Sequence, residues 1–213
     1  MDSITSFAQH INHPALAHKV SLLRCIKTET QLFRSLISEI AHLLAYEASR
    51  HFAIKTKTIT TPVQTCTSQR LNHSAPMIIP LLRAGLGMVS GITALFPNAV
   101  VGHIGLKRDE TTLQANCYYF NLPPPQPDQY VLVCDPMLAT GHSATTALTR
   151  IKEVGIKNIH FLNILAAPEG IAYLKQHHPD IQLYTTAIDE HLNEQGYICP
   201  GLGDAGDRLF GTI

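Results

Sequence analysis

The sequence predicts an α/β fold: a mostly parallel, twisted sheet flanked by helices. Compact apolar runs of strand length recur at Met77–Leu82, 100–104, 130–134, 159–165 and 183–188. Patterns of helical period separate the later runs, and strands alternating with helices favour parallel pairing. Hydrophobic residues make up 45% of the 213 positions and charged residues 15%, which suits one domain with a sizeable core.

Thr28-x-x-Gln31 has the form of a capping box. Leu32, Phe33, Leu36, Ile37, Ile40, Leu43 and Leu44 then recur at helical spacing, so a long amphipathic helix is expected to about Arg50, for packing or subunit contact. Met77–Leu82 reads as a buried strand. Ala144, Ala147, Leu148, Ile151 and Val154 form one helical face, closed by Gly155, and 168–177 is a further helix. Two stretches break the alternation. Residues 105–127 run from polar to aromatic to proline-rich, too long for a plain connection, and suit a lid or projecting arm. Residues 189–213 are loop-like and rich in glycine, and suit a small hood over the sheet.

Composition narrows the function classes. Lys plus Arg equals Asp plus Glu, at 16 each, and no basic cluster occurs. Nothing electrostatic therefore points to nucleic acid or to a membrane surface. The five cysteines include no C-x-x-C pair and read as reduced thiols. His177 and His178 are the only adjacent histidines, and they sit where a helix C-terminus favours His without any metal. Residues 1–20 lack a basic start followed by an apolar stretch, and no run reaches membrane-spanning length, so a cytoplasmic protein is expected.

The most informative segment is Asp135-Pro-Met-Leu-Ala-Thr-Gly-His-Ser143, which follows a buried strand and enters a helix near Ser143. Amides at such a helix start, with the hydroxyls of Thr140 and Ser143, make an anion site. Asp135 stands at the carboxyl end of its strand, where open α/β sheets bind ligands. Neither Gly-Lys-Ser/Thr nor G-x-G-x-x-G occurs, which sets aside the common nucleotide loops. Pro80-Leu-Leu-Arg-Ala-Gly-Leu-Gly-Met88 puts one Arg among small residues, a pattern suited to multidentate binding of a pyrophosphate. Tyr197-Ile-Cys-Pro-Gly-Leu-Gly-Asp-Ala-Gly-Asp-Arg-Leu-Phe-Gly-Thr212 has four glycines between 201 and 211, which implies several unusual backbone angles and exposed peptide groups able to read a flat heterocycle.

These segments resemble the uracil phosphoribosyltransferases, of the type I phosphoribosyltransferase fold, well over 77–213 and weakly before. The resemblance implies a single phosphoribosyltransferase domain over 1–213, with 105–127 as arm and 189–213 as the uracil-binding hood. It makes Arg83, Arg108 and Asp204 catalytic. Phosphoribosyl pyrophosphate (PRPP) would be held by Arg83, Arg108, Asp135, Pro136, Met137, Leu138, Ala139, Thr140, Gly141, His142, Ser143 and Asp204. Asp135 would face the ribose hydroxyls, and 139–143 would cradle the 5′-phosphate. Uracil would meet Ile198, Gly203, Asp204 and Ala205. Mg²⁺ would arrive through PRPP, with no protein ligand assigned directly. A homodimer or larger homo-oligomer is implied, and GTP activates some relatives. Related enzymes carry a cis peptide in the Arg83 loop, so strain after Arg83 is expected.

Two departures stand out. His142 replaces the usual Gly, either as a tolerated loop residue or as an added phosphate contact. Lys107 replaces the usual aromatic of Gly105-Leu-Lys-Arg-Asp-Glu110. Cys134 and Cys199 flank the site without an activating partner and read as packing residues. The competing readings are a purine-specific transferase, opposed by the hood; an RNA-binding regulator on the same fold, opposed by the neutral composition; and a degenerate subunit, opposed by the retained Arg83, Arg108, Asp135 and Asp204.

Overall fold

The computed structural model describes residues 7–72, 75–108 and 115–212. Along the chain run β1 (Ala8–His10), α1 (Pro14–Arg24), α2 (Thr30–Ala48), a 3₁₀ turn (Ser49–His51), β2 (Ile54–Thr60), β3 (Thr65–Leu71), β4 (Met77–Leu82), α3 (Leu86–Leu95), β5 (Val100–Val101), β6 (His103–Arg108) and β7 (Ala115–Asn121). Then follow β8 (Val131–Cys134), β9 (Met137–Leu138), α4 (His142–Glu153), β10 (Ile159–Ala166), α5 (Pro168–His177), β11 (Gln182–Ile188), β12 (His191–Leu192), β13 (Ile198–Cys199) and α6 (Ala205–Phe210).

The main sheet has the order β1-β11-β10-β8-β4-β6-β7, with β5 on β4 and β9 on β10. All its pairs are parallel except β6 with β7. This bears out the expected fold class. One apolar cluster packs α1, α2 and α3 on one face, and a second packs α4 and α5 on the other. The central strands β4, β8 and β10 are buried on both faces, which is why they read as continuous apolar runs.

Several boundaries differ from the expectation. The capping box does not form, because the Thr28 hydroxyl donates to the Leu22 carbonyl of α1. Glu29 becomes the N-cap, with no side-chain bond. On α2, Phe33, Leu36, Ile37, Ile40 and Leu44 are buried as expected, but Leu32 is 47% exposed. The strand expected over 100–104 breaks at Gly102, whose amide donates to the Ile78 carbonyl. Val154 is the C-cap of α4 and lies outside, while Gly155 turns the chain at φ 88°.

Residues 105–127 are not one loop. Their first part belongs to β6 and a later part to β7, which form an antiparallel ribbon at the sheet edge; Asp109 and Glu110 lie outside the described residues. The hood likewise holds a short ribbon, β12 with β13, and the helix α6. Its Ile198, Leu202, Ala205 and Leu209 join the apolar cluster of α1–α3. A separate ribbon of β2 and β3 was not foreseen, because threonine and charge on both its faces leave no apolar alternation.

Replacing the fully buried Ile40 by Ala should cost about 2–5 kcal/mol, whereas Leu32→Ala should cost under about 0.5 kcal/mol. Urea midpoints of the two variants check this, and equal shifts would contradict the assignment of the α2 faces.

Candidate active site

Three connections at the carboxyl ends of the strands bring the candidate residues together. Strand β8 delivers Asp135, whose amide donates to the Leu162 carbonyl at 3.1 Å. The Met137 amide approaches Asp135 Oδ1 at 3.4 Å. Burial pushes the Asp135 carboxyl up to about 7, and the Asp204 carboxylate across the cleft adds to the rise.

The following segment is only partly loop. The Pro136 carbonyl accepts from both Ile164 and Leu165, and Met137 and Leu138 pair with β10 as β9. Pro136 and Leu138 are buried; Ala139, Thr140 and Ser143 retain exposure. Gly141 takes φ 83° and is the N-cap of α4, so it offers no side chain to the first amides of the helix. Those amides are left for an anion, as a helix start can use them. His142 is the first residue of α4. The left-handed position thus falls on Gly141, and His142 takes ordinary helical backbone. The exposed His142 ring instead meets Tyr173 edge-on, with centroids 4.6 Å apart.

Strand β4 delivers Arg83. The Leu82-Arg83 peptide bond is cis, one bond earlier than the expected departure, and Cys199-Pro200 is cis as well. The Arg83 side chain is 60% exposed. Its Nη2 lies 3.4 Å from Asp207 Oδ1, and its guanidinium lies 5.8 Å from the Phe210 ring centroid. An ion pair this open contributes little stability, so Arg83 is available to an incoming anion. The loop sits close on β8: a Cβ at Gly85 would lie 2.4 Å from the Cys134 carbonyl oxygen.

The hood supplies the third side. Asp204 is the N-cap of α6 and accepts from the Asp207 amide at 2.9 Å. Ala205 is buried at the helix start, Gly203 is exposed at φ 81°, and Ile198 is buried on β13. A Cβ at Gly206 would lie 3.2 Å from Asp204 Oδ1 and 3.8 Å from Arg83 Nη2, which places hood and Arg83 side by side. Arg108 ends β6, and its side chain lies outside the described residues.

The other titratable candidates are occupied or unsuited to chemistry. Cys134 is fully buried, and burial pushes its thiol up, away from thiolate chemistry. Cys199 Sγ is directed at the Tyr197 carbonyl. His178 is buried with its ring nitrogens 3.1 Å from the Thr145 carbonyl and 3.0 Å from Lys152 Nζ.

Sequence reasoning missed Asp207 and Gly170. Asp207 carried a signal, standing three residues after Asp204 in a helix first turn. Gly170 lies within α5, where glycine weakens a helix, and that cost marks a close approach. A Cβ there would lie 2.2 Å from the Ala139 carbonyl oxygen.

Residues 10–212 match the family model described as uracil phosphoribosyltransferase. A uracil phosphoribosyltransferase of Levilactobacillus brevis is 50% identical over 204 residues, covering 96% of this chain and 98% of the relative. That of Finegoldia magna is 49% identical over 212 residues, covering 100% of both. Among solved structures, a protein from Aquifex aeolicus superposes with TM-score 0.91 at 35% identity, over 95% of this chain and 97% of that one. A purine phosphoribosyltransferase from Pyrococcus horikoshii reaches TM-score 0.51 at 14% identity, over 73% and 84%, a likeness of fold alone.

The raised Asp135 predicts a stability signature. The folded chain holds a proton that the unfolded chain releases near pH 4, so this group's contribution falls as pH rises from about 4 to about 7. Asp135→Asn should therefore gain stability over the parent across that window. Urea unfolding at pH 5 and pH 8 tests it, and an equal difference at both pH values would contradict it.

Proposed function

The chain belongs to the uracil phosphoribosyltransferase family, and from that premise we propose how its cleft carries out the reaction. The activity is the transfer of a phosphoribosyl group from PRPP to uracil, giving uridine monophosphate and pyrophosphate in pyrimidine salvage. One observation supports the assignment of residues most: three distant segments meet, with Arg83 beside the hood at Gly206 and Asp207 and with Asp135 close enough to feel the charge of Asp204.

In this reading the 5′-phosphate binds the free amides at the start of α4, with Thr140 and Ser143 adding hydroxyl donors. Asp135 accepts hydrogen bonds from the ribose hydroxyls. Arg83 binds the pyrophosphate, and Arg108 reaches it from the edge ribbon. Uracil N1 forms the new bond to the sugar carbon and gives up its proton, while the bond to pyrophosphate breaks. Positive charge develops on the sugar and negative charge on the leaving group. Cations beside that group act where charge grows, and electrostatic stabilisation of this kind is usually the largest single contribution to catalysis.

The donor set fits Mg²⁺. Asp135 and Asp204 are hard oxygen donors whose mutual repulsion a cation relieves, and Mg²⁺ binds through one or two carboxylates together with substrate phosphates. Among the described residues no cluster of three or more His, Cys, Asp or Glu converges. When bound, it would neutralise charge on the departing pyrophosphate.

Base choice follows from peptide groups. The Ile198 carbonyl accepts from uracil N3–H, and the Ala205 amide donates to a uracil carbonyl. Cytosine inverts both contacts, and buried polar groups left unpaired reject a ligand strongly.

Arg83→Ala should lower kcat by about 10²–10³ with little change in thermal stability. Initial rates of uridine monophosphate formation, with cytosine and hypoxanthine as controls, test it. A full rate in Arg83→Ala would remove Arg83 from the site, and cytosine turnover near that of uracil would remove the proposed base contacts.

A further inference from the structure

Two arginines tie the hood to the corner between α1 and α2. Arg24 is the last residue of α1. Its Nη1 donates to Asp189 Oδ2 at 2.7 Å and to the Gly201 carbonyl at 2.8 Å, and its Nη2 donates to Asp189 Oδ1. The Gly201 amide donates to Asp189 Oδ2 at 2.8 Å. One ion pair thus grips both the N–H and the C=O of Gly201. Asp189 is 8% exposed, so the pair is shielded and its geometry is fixed by forked hydrogen bonds.

Arg208, in α6, makes the second tie. Its Nη1 donates to the Leu23 and Leu202 carbonyls at 2.7 and 2.8 Å, and its Nη2 to the Cys25 carbonyl at 2.7 Å. Its guanidinium lies over the Phe33 ring, 4.4 Å from the centroid. A cleft of about 510 Å³ opens between residues 24–30 and the hood residues 200–204, and both arginines line it.

Gly201 transmits the constraint. It adopts φ 61°, and a Cβ there would lie 2.1 Å from the Ile198 carbonyl oxygen. That carbonyl is packed on the Gly201 α-carbon, so holding one holds the other. We infer that Arg24 is a positioning residue for base recognition: through Asp189 and Gly201 it fixes the Ile198 carbonyl, while Arg208 braces Leu202 on the way to Gly203 and Ala205. The inference rests on the uracil assignment above and extends it, giving the N-terminal helix a part in choosing the base.

The test varies uracil and PRPP separately in Arg24→Met, Arg24→Lys and the hood control Gly203→Val. A charged, forked contact sets the size of the effect, so Arg24→Met should raise the KM for uracil about tenfold, lower the preference for uracil over cytosine, and leave the KM for PRPP within about twofold. Arg24→Lys, which keeps charge but not the fork, should recover part of the loss. Unchanged uracil KM in Arg24→Met, or an equal loss for both substrates with lower thermal stability, overturns the inference. If Arg24→Met does not fold, Asp189→Asn and Arg24→Lys are read by the same split between substrates. A raised uracil KM in Gly203→Val with none in the Arg24 variants sinks the positioning role alone. An unchanged uracil KM in Gly203→Val sinks the base assignment on which it rests.

Discussion

The site depends on how closely backbone can approach backbone at the carboxyl end of the sheet. The loop after β4 presses on the last carbonyl of β8, and the first turn of α5 presses on the carbonyls of Leu138 and Ala139. Both contacts occur at glycine, at Gly85 and Gly170, and a methyl group at either would collide with main-chain oxygen. The Cys134 oxygen sits on a strand paired on both sides, and the Leu138 carbonyl accepts from the Ala167 amide, so neither can yield as a flexible side chain can. The close approach sets the distance between the Arg83 loop and the Asp135 loop, and the hood closes over a gap already fixed in width.

Within that gap the charges are poorly matched. Asp135 and Asp204 repel each other, Asp135 is held above the ordinary carboxylate range, and Arg83 is paired loosely with the exposed Asp207. A fold selected for stability alone would relieve this arrangement. A site for phosphoribosyl transfer can use it, because hydroxyl donors and phosphate oxygens offer partners to the carboxylates and to the guanidinium. The neutral composition of the whole chain hides this local imbalance, and net charge is for that reason uninformative about small anionic substrates.

Much of the fold was legible because its central strands and amphipathic helices obey their periods. Helix α5 begins and ends where the pattern placed it, at Pro168 and His177, and β4 is likewise the apolar run itself. The failures are local. Thr28 spent its hydroxyl on the preceding helix, and a tertiary partner of that kind leaves no trace in spacing. The ribbon of β2 and β3 is polar on both faces, so no alternation could announce it. At the site, the motif residues Arg83, Asp135 and Asp204 could be named from sequence, since each lies next to a strand or within a glycine-rich turn. Asp207 and Gly170 left only weak local signals, and the two bracing arginines left none, because Arg24 and Arg208 take their partners from segments more than a hundred residues away.

The grip of Arg24 on Asp189 and Gly201 joins positions 165 and 177 residues apart. Recombination between relatives with a crossover anywhere between those positions would inherit the two halves of this grip from different parents. Helix α1 and the hood are therefore expected to diversify as one unit, because a change at either end of this grip alone breaks it.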